Sequence, residues 1–470
     1  MILSVILQGF GAIISFATTA LIFRSLTKDD AGLFSLVSSY LIVTISFIDF
    51  GIIATVYPKI SLTNGTNSPI FKAGFILRCV TIFLGFLGIN LYLILYNKSD
   101  LLWYVNLFFG VALFSSKASG LRQFFEAVLR LKGRTYLVSA ISLIDGVIGI
   151  VSILILKFYN TLTLFNIFLI LGSSSILGFL IVSLPLFKFL INEKVFKYNI
   201  KFKYYKSIIL TTLPIALMSV IGQLFSQVET FIISGHLSNS DIAGYNAAFR
   251  PFQGIVFVPV MLSIGIAPVV TQLYKTQRND IKMESLLEFV FKVFLLISLT
   301  IYVIINIFSE NIITIFGSQY SSETHLLKIY SITSGLSFII IFFDQMLLAI
   351  GFRIKVFYGS LLGLSIAICL QLALINSFGV VGIMYVKIFS TLCVILFQLY
   401  SMILEMRKGI LNGFIKFLPI LLLIPLSLYL CVDLNIVLRI SIPIIILIIS
   451  FMFLRIFKIK EFNLIRTLKL

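Results

Sequence analysis

Apolar stretches of twenty or more residues recur along almost the whole 470-residue chain, and they limit its possible folds more than any other feature. The composition agrees, because only 11% of the residues are charged, against about 25% in soluble domains. The stretches are far longer than the roughly ten-residue alternating strands of an outer-membrane barrel. A soluble protein is therefore excluded, and the sequence predicts an all-α polytopic membrane protein.

A hydropathy window of about 20 residues predicts about 14 transmembrane helices. They lie near 2–24, 33–58, 70–96, 101–129, 135–157, 161–190, 207–235, 244–274, 285–308, 326–350, 355–376, 380–404, 413–431 and 435–457. Turn-forming residues separate neighbouring spans, for example at Asn64-Gly65, at Gly133 and at Ser377 to Gly379. We therefore expect short loops throughout.

The loops on one side carry most of the positive charge. Of the 36 Lys and Arg residues, 24 fall in one set of alternate loops and only six in the other set. Cytoplasmic loops are enriched in Lys and Arg, so this set is predicted to be cytoplasmic, together with both termini. The net charge of +18 is then a signature of topology and predicts no nucleic-acid partner.

The longest polar stretch falls near the middle of the chain. Residues 191–206 contain five Lys and one Glu, which suits a segment beside an anionic leaflet better than a nucleic-acid tail. We interpret it as a basic cytoplasmic linker between a first six-helix bundle, 1–190, and a second, 207–405. Residues 406–470 would add two transmembrane helices and a cytoplasmic tail.

The two bundles carry a repeated motif. Leu26 to Phe34 after span one matches Leu237 to Tyr245 after span seven, and Gln123 to Ala127 matches Gln345 to Ala349. Because spans one and seven both begin inside, the halves are predicted to be parallel repeats. In the first motif we expect Asp30 or Asp241 to cap the following helix, and Gly32 or Gly244 to let the chain reverse tightly.

Several sequence motifs resemble those of a known family. The motif Leu26 to Phe34, Asp49-Phe50-Gly51, Leu237 with Gly244-Tyr245, and Gly379 with Gly382 are similar to the polysaccharide flippases of the O-antigen (Wzx) type. Their superfamily also contains lipid II flippases and MATE multidrug exporters. The resemblance covers roughly 1–405 and implies two six-helix bundles in a V, a central cavity lined by spans one, two, seven and eight, and alternating access.

Eleven ionisable residues fall within the spans, where each costs roughly 2.5–3.5 kcal/mol if it faces lipid. They are Arg78, Lys117, Arg122, Arg250, Lys292, Lys387, Asp49, Glu126, Asp145, Glu229 and Asp344. Most must therefore face protein or a water-filled cavity. For Arg122, Glu126 and Arg130 we favour a self-satisfied structural ladder. Arg78 and Lys292 are within snorkelling distance of the cytoplasmic end.

The other charges are candidate site residues. Arg24 and Arg250, on spans one and eight, are candidates for phosphate binding, because Arg holds phosphate through a bidentate fork. Lys117 is a further substrate-binding candidate, although it and Asp145 could instead neutralise each other. Gln8, Gln223 and Gln227 could bind sugar hydroxyls or bridge helices.

Three carboxylates are candidates for ion coupling or gating: Asp49, Glu229 and Asp145. Glu229 and Arg250 could pair with each other, structurally or in the transport cycle. No cofactor and no metal site are expected, apart from a coupling ion, H⁺ or Na⁺.

We therefore predict a flippase, not an enzyme, that moves a polyprenyl-(pyro)phosphate-linked oligosaccharide across the cytoplasmic membrane for surface polysaccharides such as O-antigen and lipopolysaccharide. Membrane lipids, a polysaccharide polymerase and assembly proteins are the expected partners. A MATE-like multidrug exporter is the nearest alternative. A glycolipid polymerase or ligase is less favoured because the longest outer loop, near Ser309 to His325, is short.

Overall fold

A computed structural model of the chain describes residues 2–62, 69–115, 120–131, 133–192, 201–276 and 281–406, with residues 442, 443 and 445. The described residues form helices and no strands, as predicted. The helices are α1 (Ile2–Ser25), α2 (Lys28–Asp49), α3 (Ile52–Leu62), α4 (Pro69–Leu95), α5 (Leu102–Phe114), α6 (Leu121–Leu131), α7 (Thr135–Phe158), α8 (Leu164–Asn192), α9 (Phe202–His236), α10 (Asn239–Ile255), α11 (Phe257–Thr276), α12 (Ile281–Ile307), α13 (Ser309–Thr314), α14 (Thr324–Ala349) and α15 (Arg353–Met406).

The first twelve predicted spans coincide with these helices. Within the described residues, ten helical stretches are long and apolar enough to cross a membrane, and α15 supplies two predicted spans that meet at Gly379. Predicted span four is not among the ten, because its apolar helical stretch, Ser99–Phe114, is shorter. The backbone of Gly379 has φ 55° and ψ −144°, which breaks the helix where the sequence predicted a turn. The predicted spans 413–431 and 435–457 lie outside the described residues, apart from three positions.

Three predicted spans are each made of two helices. Span two is divided at Phe50-Gly51, span four between Ser115 and Gly120, and span eight at Val256, between α10 and α11. In a bilayer such interruptions need partners for the backbone groups that the helix no longer satisfies. At the break in span two, side chains of α4 supply such hydrogen bonds, whereas at Val256 the backbone bonds to Phe252 and from Val260 continue through the break.

The repeated motif begins a helix in both halves, but its residues act differently from the prediction. Thr27 is the N-cap of α2: its Oγ1 accepts from the Asp30 amide at 3.2 Å, and it also donates to Asp30 Oδ2 at 2.9 Å. Ser238 and Asp241 repeat this reciprocal pattern at α10, where the Asp241 amide donates to Ser238 Oγ at 3.3 Å. The hydroxyl residue thus caps and the aspartate supports it, as in a capping box.

The glycines of the motif do not reverse the chain. Gly32 and Gly244 lie inside α2 and α10, and the turns precede them. Gly32 instead allows a close approach, because a Cβ built on it would lie 1.9 Å from the carbonyl oxygen of Asn239. The two copies of the motif therefore pack directly against each other.

The contacts divide the chain into two compact units, Met1–Asn246 with Phe316–Ser318, and Ala247–Ile315 with Gln319–Leu470. In this division α9 packs along α2 and α3 and belongs to the first unit. The linker predicted at 191–206 lies mostly outside the described residues and stays a prediction. In that unit α1 packs on α7, α5 on α8, and α2 on α4. In the second unit α14 packs against α11, α12 and α15.

Candidate functional site: buried charges at the helix breaks

The break between α2 and α3 exposes backbone groups inside the first unit. Phe50 ends α2 in a left-handed conformation, with φ 43°, and Gly51 follows with φ 63°. The sequence Asp49-Phe50-Gly51 suits this geometry because glycine adopts positive φ without a steric penalty. The Ile48 carbonyl receives its hydrogen bonds from α4, at 2.9 Å from Arg78 and 2.8 Å from Thr81 Oγ1.

Arg78 links the breaks in spans two and four. Its guanidinium is buried and donates to the Ile48 carbonyl, to Asp49 Oδ1 at 3.1 Å, and to the Gly120 carbonyl at 3.2 Å. The sequence suggested that Arg78 snorkels to the cytoplasmic end. It does not, because all these acceptors lie inside the first unit. Asp49, a predicted gating residue, is its ion-pair partner.

A second buried arginine, Arg122, stands between two carboxylates. Its Nε donates to Glu126 Oε1 at 2.8 Å, and its NH1 donates to Asp145. Arg130, which is half exposed, lies 3.7 Å from Glu126. The ladder predicted on α6 is therefore present, and it is extended by Asp145 of α7.

Space for this ion pair is provided by a glycine. A Cβ on Gly178 of α8 would lie 1.9 Å from Asp145 Oδ1 and 2.6 Å from Arg122 NH1. Asp145 was expected to pair with Lys117, but Lys117 lies outside the described residues. The bond from Arg122 instead gives Asp145 a partner on α6, so three helices meet at one salt-bridge cluster.

Buried charges in the second unit also have polar partners. Lys292 is buried and forms a 2.8 Å ion pair with Glu288, one turn earlier on α12, so it does not snorkel either. Asp344 of α14 accepts a hydrogen bond from the Gln398 amide of α15. Lys387 is buried in the second part of α15. Intrahelical and interhelical polar contacts thus stabilise charges in both units.

Two of the three predicted glutamine ligands link helices of the first unit. Gln227 of α9 accepts from Ser39 of α2 at 2.8 Å, in a buried setting. Gln8 of α1 lies 3.5 Å from Ser139 of α7, while Gln223 bonds within α9, to Ser226 at 3.3 Å. These contacts correspond to the helix-bridging alternative, and sugar binding by these residues stays a prediction.

The remaining candidates occupy both units. Arg24 is exposed at the end of α1, and Glu229 is buried in α9. Arg250 of α10 donates to Gln253 Oε1 at 3.0 Å and precedes Pro251, five residues before the break at Val256. Glu229 belongs to the first unit and Arg250 to the second, so their pairing stays a prediction.

The first unit also contains an apolar cavity of about 580 Å³, which the sequence reasoning missed. Its walls come from α2, α4 and α9, and include Phe47, Leu84, Gly88, Leu224 and Phe231. Gly88 on α4 leaves open space in this wall, since a Cβ there would meet no atom within 4 Å. This cavity is distinct from the central cavity lined by spans one, two, seven and eight that the family resemblance implies, and that central cavity stays a prediction.

The comparisons with known proteins agree with this architecture. Residues 214–371 match the MatE family model. A lipid II flippase, MurJ, in an inward closed conformation has a similar structure, with 19% identity, a TM-score of 0.61, and coverage of 97% of this chain and 99% of MurJ. No curated protein sequence matches significantly.

Two further solved structures are similar. An inward-facing multidrug-resistance MATE transporter of the MOP superfamily has 13% identity and a TM-score of 0.64, with coverage of 86% of this chain and 94% of that one. A MOP superfamily transporter from Pyrococcus furiosus, described as having a binding pocket of reverse polarity, has 14% identity and a TM-score of 0.61, with coverage of 87% and 94%. The chain therefore has the fold of these transporters, and residues 214–371 match the MatE family model.

Proposed function

We propose that the protein is a flippase that moves a polyprenyl-(pyro)phosphate-linked oligosaccharide across the cytoplasmic membrane by alternating access. The observation that carries this proposal is the extent of the structural match: the lipid II flippase is similar over 97% of this chain, and the MATE transporter over 86%. The resemblance to the Wzx-type flippases in the motifs of spans one, two, seven and twelve points to the same class.

The charges suggest how such a substrate would be held. A lipid-linked oligosaccharide presents phosphate, for which Arg24 and Arg250 are the proposed ligands. The Arg250 guanidinium donates to the amide oxygen of Gln253 at 3.0 Å. This hydrogen bond helps to orient the guanidinium. Lys117 and the glutamines Gln8, Gln223 and Gln227 are proposed to assist with phosphate and sugar hydroxyls.

Coupling to an ion gradient would use carboxylates that release an arginine partner when they bind the coupling ion. Asp49 and Asp145 are bound to Arg78 and Arg122, so protonation of either would weaken a bond between helices. Glu229, buried in α9, is the third proposed coupling residue. The coupling ion is proposed to be H⁺ or Na⁺, and the termini are proposed to be cytoplasmic. A polymerase and assembly proteins are the proposed partners.

Deletion of the gene followed by mass spectrometry of the lipid extract tests the proposal. Accumulation of complete lipid-linked repeat units on the cytoplasmic leaflet is the expected result. Unpolymerised units on the outer leaflet would indicate a polymerase instead. The proposal fails if the lipid-linked intermediates are unchanged.

Transport by variants tests the proposed residues. Proteoliposomes with the labelled glycolipid should show flipping by the wild type and by Lys275→Ala, an exposed cation at the end of α11, but strongly reduced flipping by Arg250→Ala. Glu229→Gln should remove the dependence on the ion gradient. Unimpaired flipping by Arg250→Ala would remove that residue from phosphate binding.

A multidrug exporter is the second candidate, because residues 214–371 match the MatE model and the MATE structure has a TM-score of 0.64. Such a protein would export organic cations, for which acidic and aromatic walls are suited. The deletion strain separates the two functions. Drug sensitivity with an unchanged lipid extract would support export, and accumulated glycolipid with unchanged drug tolerance would support the flippase.

A further inference from the structure

The cavity between α2, α4 and α9 opens on the apolar outer surface of the first unit. Two of its lining residues, Phe47 of α2 and Leu84 of α4, are 50% and 59% exposed. Phe83, Leu87 and Leu91 of α4 are also exposed, so this helix has an apolar outer surface beside the cavity. In a membrane these side chains contact hydrocarbon, so the cavity is accessible from the lipid phase.

The wall of the cavity suits hydrocarbon and not a glycan. Its two threonine hydroxyls already donate to backbone carbonyls: Thr44 Oγ1 donates to the Tyr40 carbonyl within α2 at 2.8 Å, and Thr81 Oγ1 of α4 donates to the Ile48 carbonyl of α2 at 2.8 Å. The remaining lining is aliphatic, aromatic or glycine, apart from the two tyrosines Tyr40 and Tyr92. Sugar hydroxyls would lose their hydration here without gaining hydrogen bonds, which is costly.

A cation lies at one end of this cavity. Lys98, just after α4, donates from Nζ to Tyr40 Oη at 3.2 Å and to Ser234 Oγ at 3.4 Å. Tyr40 lines the cavity and stacks near Tyr92 and Phe231, with ring centroids 5.7 Å and 5.1 Å away. Lys98 thus connects the loop after α4 with α2 and α9 at the aromatic rim of the cavity.

The charge of Lys98 is not balanced by a carboxylate within the described part of the chain, where its two partners are uncharged hydroxyls. An ammonium has three donors, so one remains for a further acceptor. Partial burial lowers the pKa of Lys98, because desolvation disfavours the charged form, and a bound anion would oppose this shift. A phosphate at this position would neutralise the charge of Lys98 and accept the third hydrogen bond of its ammonium.

We infer that this cavity binds an anionic phospholipid of the surrounding bilayer, with one acyl chain between α2, α4 and α9 and its phosphate on Lys98. The chain would lie against Phe47, Leu84 and Gly88, and the headgroup would lie at the rim formed by Tyr40, Tyr92 and Lys98. This site is separate from the proposed transport path, because it opens sideways to lipid and its wall has no group to hold the glycan.

Binding is tested by native mass spectrometry of the full-length protein, purified in detergent and titrated with phosphatidylglycerol or phosphatidylcholine. The wild type should bind one phosphatidylglycerol in preference to phosphatidylcholine. Lys98→Gln should weaken phosphatidylglycerol binding about tenfold, as expected for loss of one charge-assisted contact. Lys157→Gln, an exposed cation in the last turn of α7, is the matched control and should bind like the wild type.

A second variant tests the acyl-chain position. A Cβ on Gly88 would meet no atom within 4 Å, so the side chain of Gly88→Phe can enter the cavity without a clash at its base and should abolish the preferred binding. Gly110→Phe on α5, where a Cβ would also meet nothing within 4 Å, is its control. A phosphatidylglycerol with a photoreactive acyl chain should label α4 and α9 in the wild type and not in Gly88→Phe.

Three results would overturn the inference. The first is equal binding of the two phospholipids by the wild type. The second is equal phosphatidylglycerol affinity in Lys98→Gln and Lys157→Gln. The third is stoichiometric displacement of phosphatidylglycerol by a polyprenyl phosphate with labelling of the same helices, which would identify the transported lipid as the occupant. Lys98→Gln keeps the test valid if Gly88→Phe does not fold, because it removes the charge of a partly exposed side chain and keeps a polar amide in its place.

Discussion

Gly32 of α2 lies directly against Asn239 at the start of α10, with room for no side chain between them: a Cβ on Gly32 would approach the Asn239 carbonyl oxygen to 1.9 Å. The obstacle is backbone, so it cannot rotate away as a side chain would. Gly32→Ala should therefore force the repeated motifs apart and destabilise the first unit by about 1–3 kcal/mol. Thermal unfolding in detergent measures this change.

Gly222→Ala on α9 is the matched control for Gly32→Ala. A Cβ at Gly222 would meet nothing within 4 Å, and alanine favours the helix by about 0.5–1 kcal/mol over glycine. Gly222→Ala should therefore leave the unfolding temperature unchanged or raise it. Similar unfolding temperatures for the two variants would contradict the proposed close contact.

Arg78 should be among the residues whose loss is most damaging. It is buried and bonds to Asp49 and to the carbonyls of Ile48 and Gly120, so Arg78→Ala removes a donor from each of them and leaves Thr81 as the side-chain donor to Ile48. Removing one partner of a buried ion pair costs about 3–5 kcal/mol. Arg134→Ala, an exposed cation before α7, should have little effect on thermal unfolding.

A double-mutant cycle separates the ion pair from the backbone bonds. If Arg78 acts mainly through Asp49, Asp49→Asn should cost nearly as much as Arg78→Ala, and the double variant little more. The structure predicts a different result, since two carbonyls also depend on Arg78. Arg78→Ala should remain clearly more destabilising than Asp49→Asn.

Gly178 is predicted to be essential for the salt-bridge cluster at Arg122. A methyl group there would overlap Asp145 Oδ1 and crowd Arg122 NH1, and both side chains are buried and bonded. Gly178→Ala should destabilise the protein by about 1–3 kcal/mol in thermal unfolding. Gly149→Ala, where the nearest atom would be Ser174 Oγ at 3.7 Å, should be tolerated. The cost of Gly178→Ala should shrink in an Asp145→Ala background, and an undiminished cost would rule out this contact.

Gly379 is predicted to be required for the break within α15. Its φ of 55° and ψ of −144° belong to a region that is nearly exclusive to glycine. Gly379→Ala should cost about 1–3 kcal/mol, measured by thermal unfolding in detergent. Gly265→Ala, with open space around its Cβ and no positive φ, is the control. Equal stability of both variants would mean that the break tolerates other residues.

The positions of the first twelve spans and the break at Gly379 could be predicted from the sequence, because apolar runs and turn residues are local signals. The breaks in spans two and four were missed, although Asp49-Phe50-Gly51 and Gly120 stand at or near them. Apolar composition continues through these breaks, so hydropathy does not register them. The motif Asp49-Phe50-Gly51, identified from the family resemblance, is the point where α2 ends and α3 begins.

Partners of buried charges were harder to predict than their positions. The contact of Arg122 with Glu126 follows from helical spacing, but that with Asp145 joins residues 23 positions apart. Arg78 and Asp49 are 29 residues apart and meet only because α2 ends at Asp49. Both contacts depend on how helices pack, which the sequence pattern of a single span does not contain. The positions of Arg78 and Lys292 near the cytoplasmic ends of their spans suggested snorkelling, whereas both side chains bind acceptors inside the protein.

The break after Asp49 also bears on how the protein enters the membrane. The segment that forms α2 and α3 reaches the bilayer before α4 has been synthesised, and its Ile48 carbonyl then has neither the Arg78 guanidinium nor the Thr81 hydroxyl. An unsatisfied carbonyl in hydrocarbon is costly, and so is an arginine that arrives without its acceptors. Each segment thus supplies what the other lacks, which favours release of the two from the insertion machinery as a helical hairpin.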